Sequence, residues 1–179
     1  MTESGAIAGL VLAGGLSRRM GGGEKSLRHL DGVPLIDRVI ERLAPQVGRL
    51  AISANADPTL YAGHGVPVLA DLHPGFAGPL AGIATGMDWA ARLPGVTHLA
   101  TVATDAPFLP RDLVARFVAA AAPDRLVLAR SASGSHPVFG LWPLALAGDL
   151  TAWLTTSPTM KVFAWVNRHD PVWCDFDPA

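Results

Sequence analysis

Cysteine is almost absent, with Cys174 alone among 179 residues. One thiol cannot close an intramolecular disulfide, which agrees with a reducing compartment. No apolar run reaches the roughly 18 residues that a membrane-crossing helix needs. The first residues lack the charged and apolar regions of a secretion signal. Charge of either sign is scarce and balanced. The 14 Lys and Arg against 15 Asp and Glu leave a net charge of −1, and only 16% of residues are charged. Broad, nonspecific binding to nucleic acid needs a strongly basic face, so that partner is excluded. Half of the residues are hydrophobic, enough to bury a core rather than stay disordered. No internal repeat and no long linker interrupt the pattern. A soluble, cytoplasmic chain forming a single domain over 1–179 is expected.

What is present is concentrated near the start. An apolar run at 6–13 has the composition of a buried strand that opens a parallel sheet. It breaks at Gly14 and Gly15 into a segment, 14–28, holding five glycines, three arginines and one lysine. Glycines let main-chain N–H groups crowd around a ligand without a Cβ in the way. Arg18, Arg19, Lys25 and Arg28 add positive charge to the same loop. Amide donors beside guanidinium and ammonium groups suit a polyphosphate. The stretch is also longer than the roughly 2–6 residues of a plain strand-to-helix loop. Two common phosphate patterns do not match. The dinucleotide fingerprint needs G-x-G-x-x-G opening a helix, and the Walker pattern needs Gly directly before Lys-Ser, where this chain has Glu24.

Further on, 30–34 contains an Asp-Gly turn. The 35–46 segment places Leu35, Ile36, Val39, Ile40 and Leu43 at helical spacing. Strands are predicted at 50–54, 66–70 and 97–103, with a helix at 83–93. A helix at 110–122 would carry Pro110 in its first turn and Asp112 favourably placed for the dipole. Strands at 126–129 and 137–142 flank a polar loop, 130–136. Strands alternate with helices up to Ala122, which implies a mostly parallel α/β sheet. From Arg125 the order becomes strand, strand, helix, helix, strand, which points to an appended region with an antiparallel strand.

In such sheets ligands bind beyond the carboxyl ends of the strands, where strand order reverses. Asn55, Asp71 and Asp105 fall at predicted strand ends. Asp105 is a candidate for Mg²⁺, which typically binds one or two carboxylates plus substrate phosphates. The alternatives are a helix cap for Asp105, a turn residue for Asp71 and an Asx-turn for Asn55. The tryptophans at 142, 153, 165 and 173 are expected to be packing residues. Cys174 has no partner for metal or nucleophilic chemistry.

Residues 12–25 read L-A-G-G-x-S-x-R-M-G-x-x-x-K, which closely resembles the signature of the molybdenum cofactor guanylyltransferases. The resemblance extends to Asn55, Asp71, the Gly78-Pro79-Leu80-Ala81-Gly82 segment and Asp105-Ala106-Pro107, and covers about 7–177. It implies a three-layer, Rossmann-like nucleotidyltransferase fold. By the same resemblance Leu12, Ala13, Gly14, Gly15, Lys25, Asp71 and the second-strand end (Ser53, Asn55) would contact the nucleotide. Backbone groups near Leu12, Gly78 and Leu80 would read the base. Asp105 would hold Mg²⁺, with Arg19 and Lys25 neutralising the leaving pyrophosphate. The reaction would be attack by the terminal phosphate of the pterin cofactor on the α-phosphorus of GTP. The implied partners are those two substrates, with transient contact to molybdoenzyme maturation proteins and none with membrane. His136 and Lys161 match family positions near the pterin; a turn histidine and a solvated lysine are the alternatives. Relatives often carry Asn-x-Asn where this chain has Ser53-Ala54-Asn55. They usually end in Asn-x-Asn-Thr-Pro-Glu, which has no counterpart here, since Asn55 and Asn167 are the only asparagines. Ala13-Gly14-Gly15, rather than Ala-Ala-Gly, favours guanine. A cytidylyltransferase of the same pathway or another NTP transferase is the alternative, and a noncatalytic nucleotide-binding assembly protein is a second.

Overall fold

Six consecutive uncharged residues, Ile7–Leu12, form β1, and all six are buried. An apolar run without polar alternation is what a strand covered on both faces requires. The computed structural model describes residues 3–14, 24–73, 78–157, 159 and 161–176. After β1 a small antiparallel hairpin pairs β2 (His29–Leu30) with β3 (Val33–Pro34). Asp31 and Gly32 turn it with φ of 51° and 77°, the positive values that tight Asp-Gly hairpins use. Helix α1 (Leu35–Leu43) buries Ile36, Val39 and Leu43. The chain continues through β4 (Arg49–Ser53), β5 (Val68–Leu69), α2 (Pro79–Ala91), β6 (His98–Ala103) and α3 (Leu113–Ala120). It closes with β7 (Val127–Ser131), β8 (Gly134–Pro143), α4 (Ala147–Thr156), α5 (Val162–Val166) and β9 (Val172–Asp175).

Seven strands form one sheet in the order β5-β4-β1-β6-β8-β7-β9. Within it β8 runs antiparallel to both neighbours, and the remaining pairs are parallel. Successive side chains of β1 point to opposite faces. Ile7 and Val11 join α1 and α3 in one core, while Ala8, Leu10 and Leu12 join α2, α4 and α5 in the other. The result is a three-layer α/β sandwich. Trp142 and Trp165 are fully buried and stacked with centroids 5.8 Å apart, a packing role as expected.

Three expectations are corrected. The segment from Pro79 is helical four residues earlier than predicted, because Gly78 turns the chain with φ 101° and Pro79 takes the first helical position. Conversely, α3 begins at Leu113, not Pro110. Gln46 is the reason: its Nε2 donates to the Pro110 carbonyl at 3.0 Å and its Oε1 accepts from Val114 N at 2.9 Å. The cap comes from another element. Most of the polar segment 130–136 is not loop but the ends of β7 and β8, joined by a two-residue turn. Their pairing shifts register between Leu128↔Gly140 and Ala129↔His136, around Pro137. Proline lacks the N–H that a regular ladder needs.

Candidate active site

Partnering across the sheet aligns Leu69, Ser53, Leu12 and Ala103 in one row, on β5, β4, β1 and β6. Asp71, Asn55, Gly14 and Asp105 each lie two residues past that row. The four positions therefore emerge side by side at the carboxyl end. This is also the switch point, because the chain passes from β1 to β4 on one side and later returns to β6 on the other. Neighbouring strands are about 4.8 Å apart, which sets Asp71 and Asp105 on the order of 14 Å apart at the strand ends. The two carboxylates flank Gly14 rather than share one cation.

Each residue of the row has a distinct environment. Among the described residues, a Cβ built at Gly14 would meet nothing within 4 Å. The Ala13 N–H is occupied, donating to Ser53 O at 2.9 Å. Asn55 and Asp71 are locked reciprocally: Asn55 Nδ2 donates to Asp71 Oδ2 at 2.9 Å, and Asp71 N donates to Asn55 Oδ1 at 2.8 Å. Asn55 thus orients Asp71 and makes no Asx-turn. The next amide, Leu72 N, donates to Thr85 Oγ1 of α2 at 3.0 Å, extending the brace. Asp105 is exposed, and its carboxylate has no hydrogen-bond or ion-pair partner among the described residues. It does not cap α3, which Asp112 precedes directly.

Ser53 is buried against α2, where a Cβ on Gly82 would come within 2.7 Å of its Oγ. Leu80 is buried in the core, so only its backbone can reach a base. Gly78 is exposed at the start of α2, and Lys25 is exposed at the start of a 3₁₀ turn, Lys25–Leu27. Gly15, Arg18 and Arg19 lie outside the described residues.

Beside Asp105 opens a cleft of about 390 Å³, lined by Phe108, Leu113, His136, Phe139 and Phe176. His136 Nε2 is held 2.7 Å from Ser131 Oγ, which fixes the ring in the hairpin. Phe108 is 60% exposed, with the Arg38 and Arg42 guanidinium groups 5.8 and 5.7 Å from its centroid. The sequence reading did not single out Phe108, because its exposure beside Asp105 is set by the fold and is not visible in the residue type. It also missed Tyr61, the one tyrosine of the chain, whose buried hydroxyl meets Ser26 Oγ at 2.8 Å. Lys161 is exposed ahead of α5.

A family model described as the MobA-like NTP transferase domain matches residues 9–172. The chain belongs to the MobA-like NTP transferases. A Bradyrhizobium protein named molybdenum cofactor guanylyltransferase is 50% identical to this MobA-like chain over 167 residues, 92% of this chain and 79% of that protein. A second of that name, from Mesorhizobium japonicum, is 46% identical over 172 residues, 95% of this chain and 83% of that protein. Among solved structures, the molybdopterin-guanine dinucleotide biosynthesis protein A of Archaeoglobus fulgidus superposes with a TM-score of 0.76 at 20% identity. The match covers 94% of this chain and 83% of that one. A Mycobacterium tuberculosis protein solved as a complex with manganese gives 0.69 at 16% identity, covering 97% and 89%. At these identities the two structures share the fold with this MobA-like chain. Among the described residues, no helix is long and apolar enough to cross a membrane.

Proposed function

We propose that the chain transfers GMP from GTP to the terminal phosphate of the molybdopterin cofactor, forming its guanine dinucleotide and releasing pyrophosphate. The names of relatives at 46–50% identity over more than nine-tenths of the chain support this reading. The observation that carries it is the row of Asp71, Asn55, Gly14 and Asp105 beyond one sheet edge.

A phosphate oxygen of the acceptor attacks the α-phosphorus of GTP and forms the new P–O bond. The bond from that phosphorus to the β-phosphate bridging oxygen breaks, and pyrophosphate leaves with the electron pair. The attacking phosphate is already anionic at neutral pH, so no general base is required. The barrier is bringing two polyanions together, which positioning and charge neutralisation lower. Lys25 and Arg19 take the pyrophosphate charge. Asp71, held by Asn55, fixes the nucleoside end, and the backbone at Leu12, Gly78 and Leu80 reads the guanine edge. Selectivity comes from the groups that a wrong base would leave unpaired. The cleft beside Asp105 and His136 takes the acceptor.

Asp105 fits a divalent ion, Mg²⁺ in this reading. It is exposed and unpaired, and no cluster of three or more His, Cys, Asp or Glu that could cage a metal occurs among the described residues. A lone carboxylate suits an ion that fills its coordination with substrate phosphates. When bound, such an ion supplies charge neutralisation and in-line alignment. The cytoplasmic setting and transient contact with molybdoenzyme maturation proteins belong to the same proposal, since the product must be handed on.

Pyrophosphate release from GTP in the presence of the pterin cofactor tests the assignment. Asp105→Ala and Lys25→Ala should each lower turnover on the order of 10²–10³-fold. Near wild-type turnover in either variant, or equal use of CTP, would refute the corresponding part.

A further inference from the structure

Lys25 opens a 3₁₀ turn with main-chain bonds from Leu27 N to Glu24 O at 3.1 Å and from Arg28 N to Lys25 O at 3.2 Å, and the Arg28 carbonyl in turn accepts from Leu35 N of α1 at 2.8 Å. The hydrogen bonds of a 3₁₀ turn have poorer geometry than those of an α-helix, so the contacts around such a turn help set its place. Ser26, its middle residue, is fully buried, and Ser26 Oγ lies 2.8 Å from Tyr61 Oη, 35 residues away in sequence. Tyr61 is also fully buried. Burial pushes its phenol up, so it keeps its proton at neutral pH.

Tyr61 is mounted on a braced segment. The 3₁₀ stretch Pro58–His64, between β4 and β5, is capped where Thr59 N donates to Asp57 Oδ1 at 2.9 Å. His64 Nε2 lies 2.6 Å from Asp37 Oδ1 of α1, and Gly65 ends the stretch with φ 64°. A phenylalanine would fill the same core volume without burying a hydroxyl. Two buried hydroxyls that satisfy each other set the register between two elements, which apolar packing specifies less sharply.

We propose that the Ser26–Tyr61 hydrogen bond positions Lys25, fixing the 25–27 turn against the β4–β5 connection so that the ammonium meets the terminal phosphates of the nucleotide. Tyr61 is a positioning residue that acts through Ser26. The inference rests on Lys25 as a phosphate ligand, and its test separates the two ideas.

Calorimetry with GTP and with GMP, both with Mg²⁺, is run on Tyr61→Phe, Ser26→Ala, Ser26→Thr, Lys25→Ala and the Lys25→Ala/Tyr61→Phe double variant. Melting temperatures are recorded alongside. Tyr61→Phe and Ser26→Ala should each weaken GTP about tenfold and leave GMP within about twofold. Ser26→Thr, which keeps the hydroxyl, should retain wild-type affinity. In the Lys25→Ala background, Tyr61→Phe should add nothing further. If Tyr61→Phe weakens GTP and GMP alike, weakens GTP equally in both backgrounds, or lowers only the melting temperature, the hydroxyl pair serves packing alone and the inference fails. If Lys25→Ala weakens GTP while Tyr61→Phe does not, this inference falls and the phosphate role of Lys25 stands. If Lys25→Ala leaves GTP affinity unchanged, the phosphate role falls and takes the positioning role with it.

Discussion

Close approach decides what single residues tolerate around this sheet. Two buried glycines separate the cases. At Gly140 on β8, a Cβ would lie 2.6 Å from the Val127 carbonyl oxygen, a backbone atom of the paired strand. At Gly86 on α2, the nearest atom is Leu10 Cδ2 at 2.5 Å, the far end of a side chain that can rotate. Gly140→Ala must push β7 and β8 apart and should cost about 1–3 kcal/mol, the range for overpacking. Gly86→Ala displaces a methyl but gains up to about 1 kcal/mol of helix propensity, so the net change should be small. Urea denaturation of the two variants checks the order, and equal losses would contradict it. The same distance logic separates Ser53 from Asn55. Ser53 is pressed against Gly82, while Asn55 spends its amide on Asp71. Neither role is visible in a residue type read alone.

Elements here are closed by partners far away in sequence, and that is where sequence reasoning slipped. Helix α1 was legible because Ile36, Val39 and Leu43 carry the periodicity themselves. The start of α3 was not. Pro110 is a strong local signal for a first turn, but Gln46 holds the Pro110 carbonyl and supplies the acceptor for Val114 N. Asp112, the residue directly before the helix, makes no side-chain cap bond. Gln46→Ala removes that cap and also the bond to Arg42 O at 2.8 Å, so three contacts are lost together. A stability loss of about 1–3 kcal/mol follows from losing a cap and leaving partly buried polar groups unpaired. Asp112→Ala should stay within about 0.5 kcal/mol, as expected for a side chain with no such role. Thermal melts of the two variants decide between a local and a borrowed cap. The two strands of the β7–β8 hairpin were legible, but their extension into 130–136 was not, for a related reason. Its polar residues at 130–136 sit where the sheet meets solvent, and Arg130 pairs Asp175 of β9 at 2.7 Å.

At the scale of the molecule, strand alternation and the strand-end rule carried most of the reading. Asn55, Asp71 and Asp105 come from three different strands, yet a single rule about where open sheets bind ligands was enough to group them. The Asn55–Asp71 lock and the Ser26–Tyr61 pair span 16 and 35 positions, and no local pattern encodes such contacts. Convergence at one edge has a thermodynamic consequence for the whole chain. A ligand that binds only the folded state stabilises it by RT ln(1 + [L]/Kd), about 2.7 kcal/mol at a hundred times Kd. For a chain of 179 residues, each kcal/mol corresponds to roughly 2–4 °C in Tm. Saturating GTP with Mg²⁺ should therefore raise Tm by about 5–10 °C. CTP should give a clearly smaller shift if Leu12, Gly78 and Leu80 read guanine. Chelation should remove much of the GTP shift, because Asp105 without a cation would face the nucleotide's phosphates as a like charge. Asp105→Asn keeps the shape and removes that charge, so its GTP shift should depend far less on chelator than that of the wild type. A chelator effect of the same size in both proteins would place the metal somewhere other than Asp105.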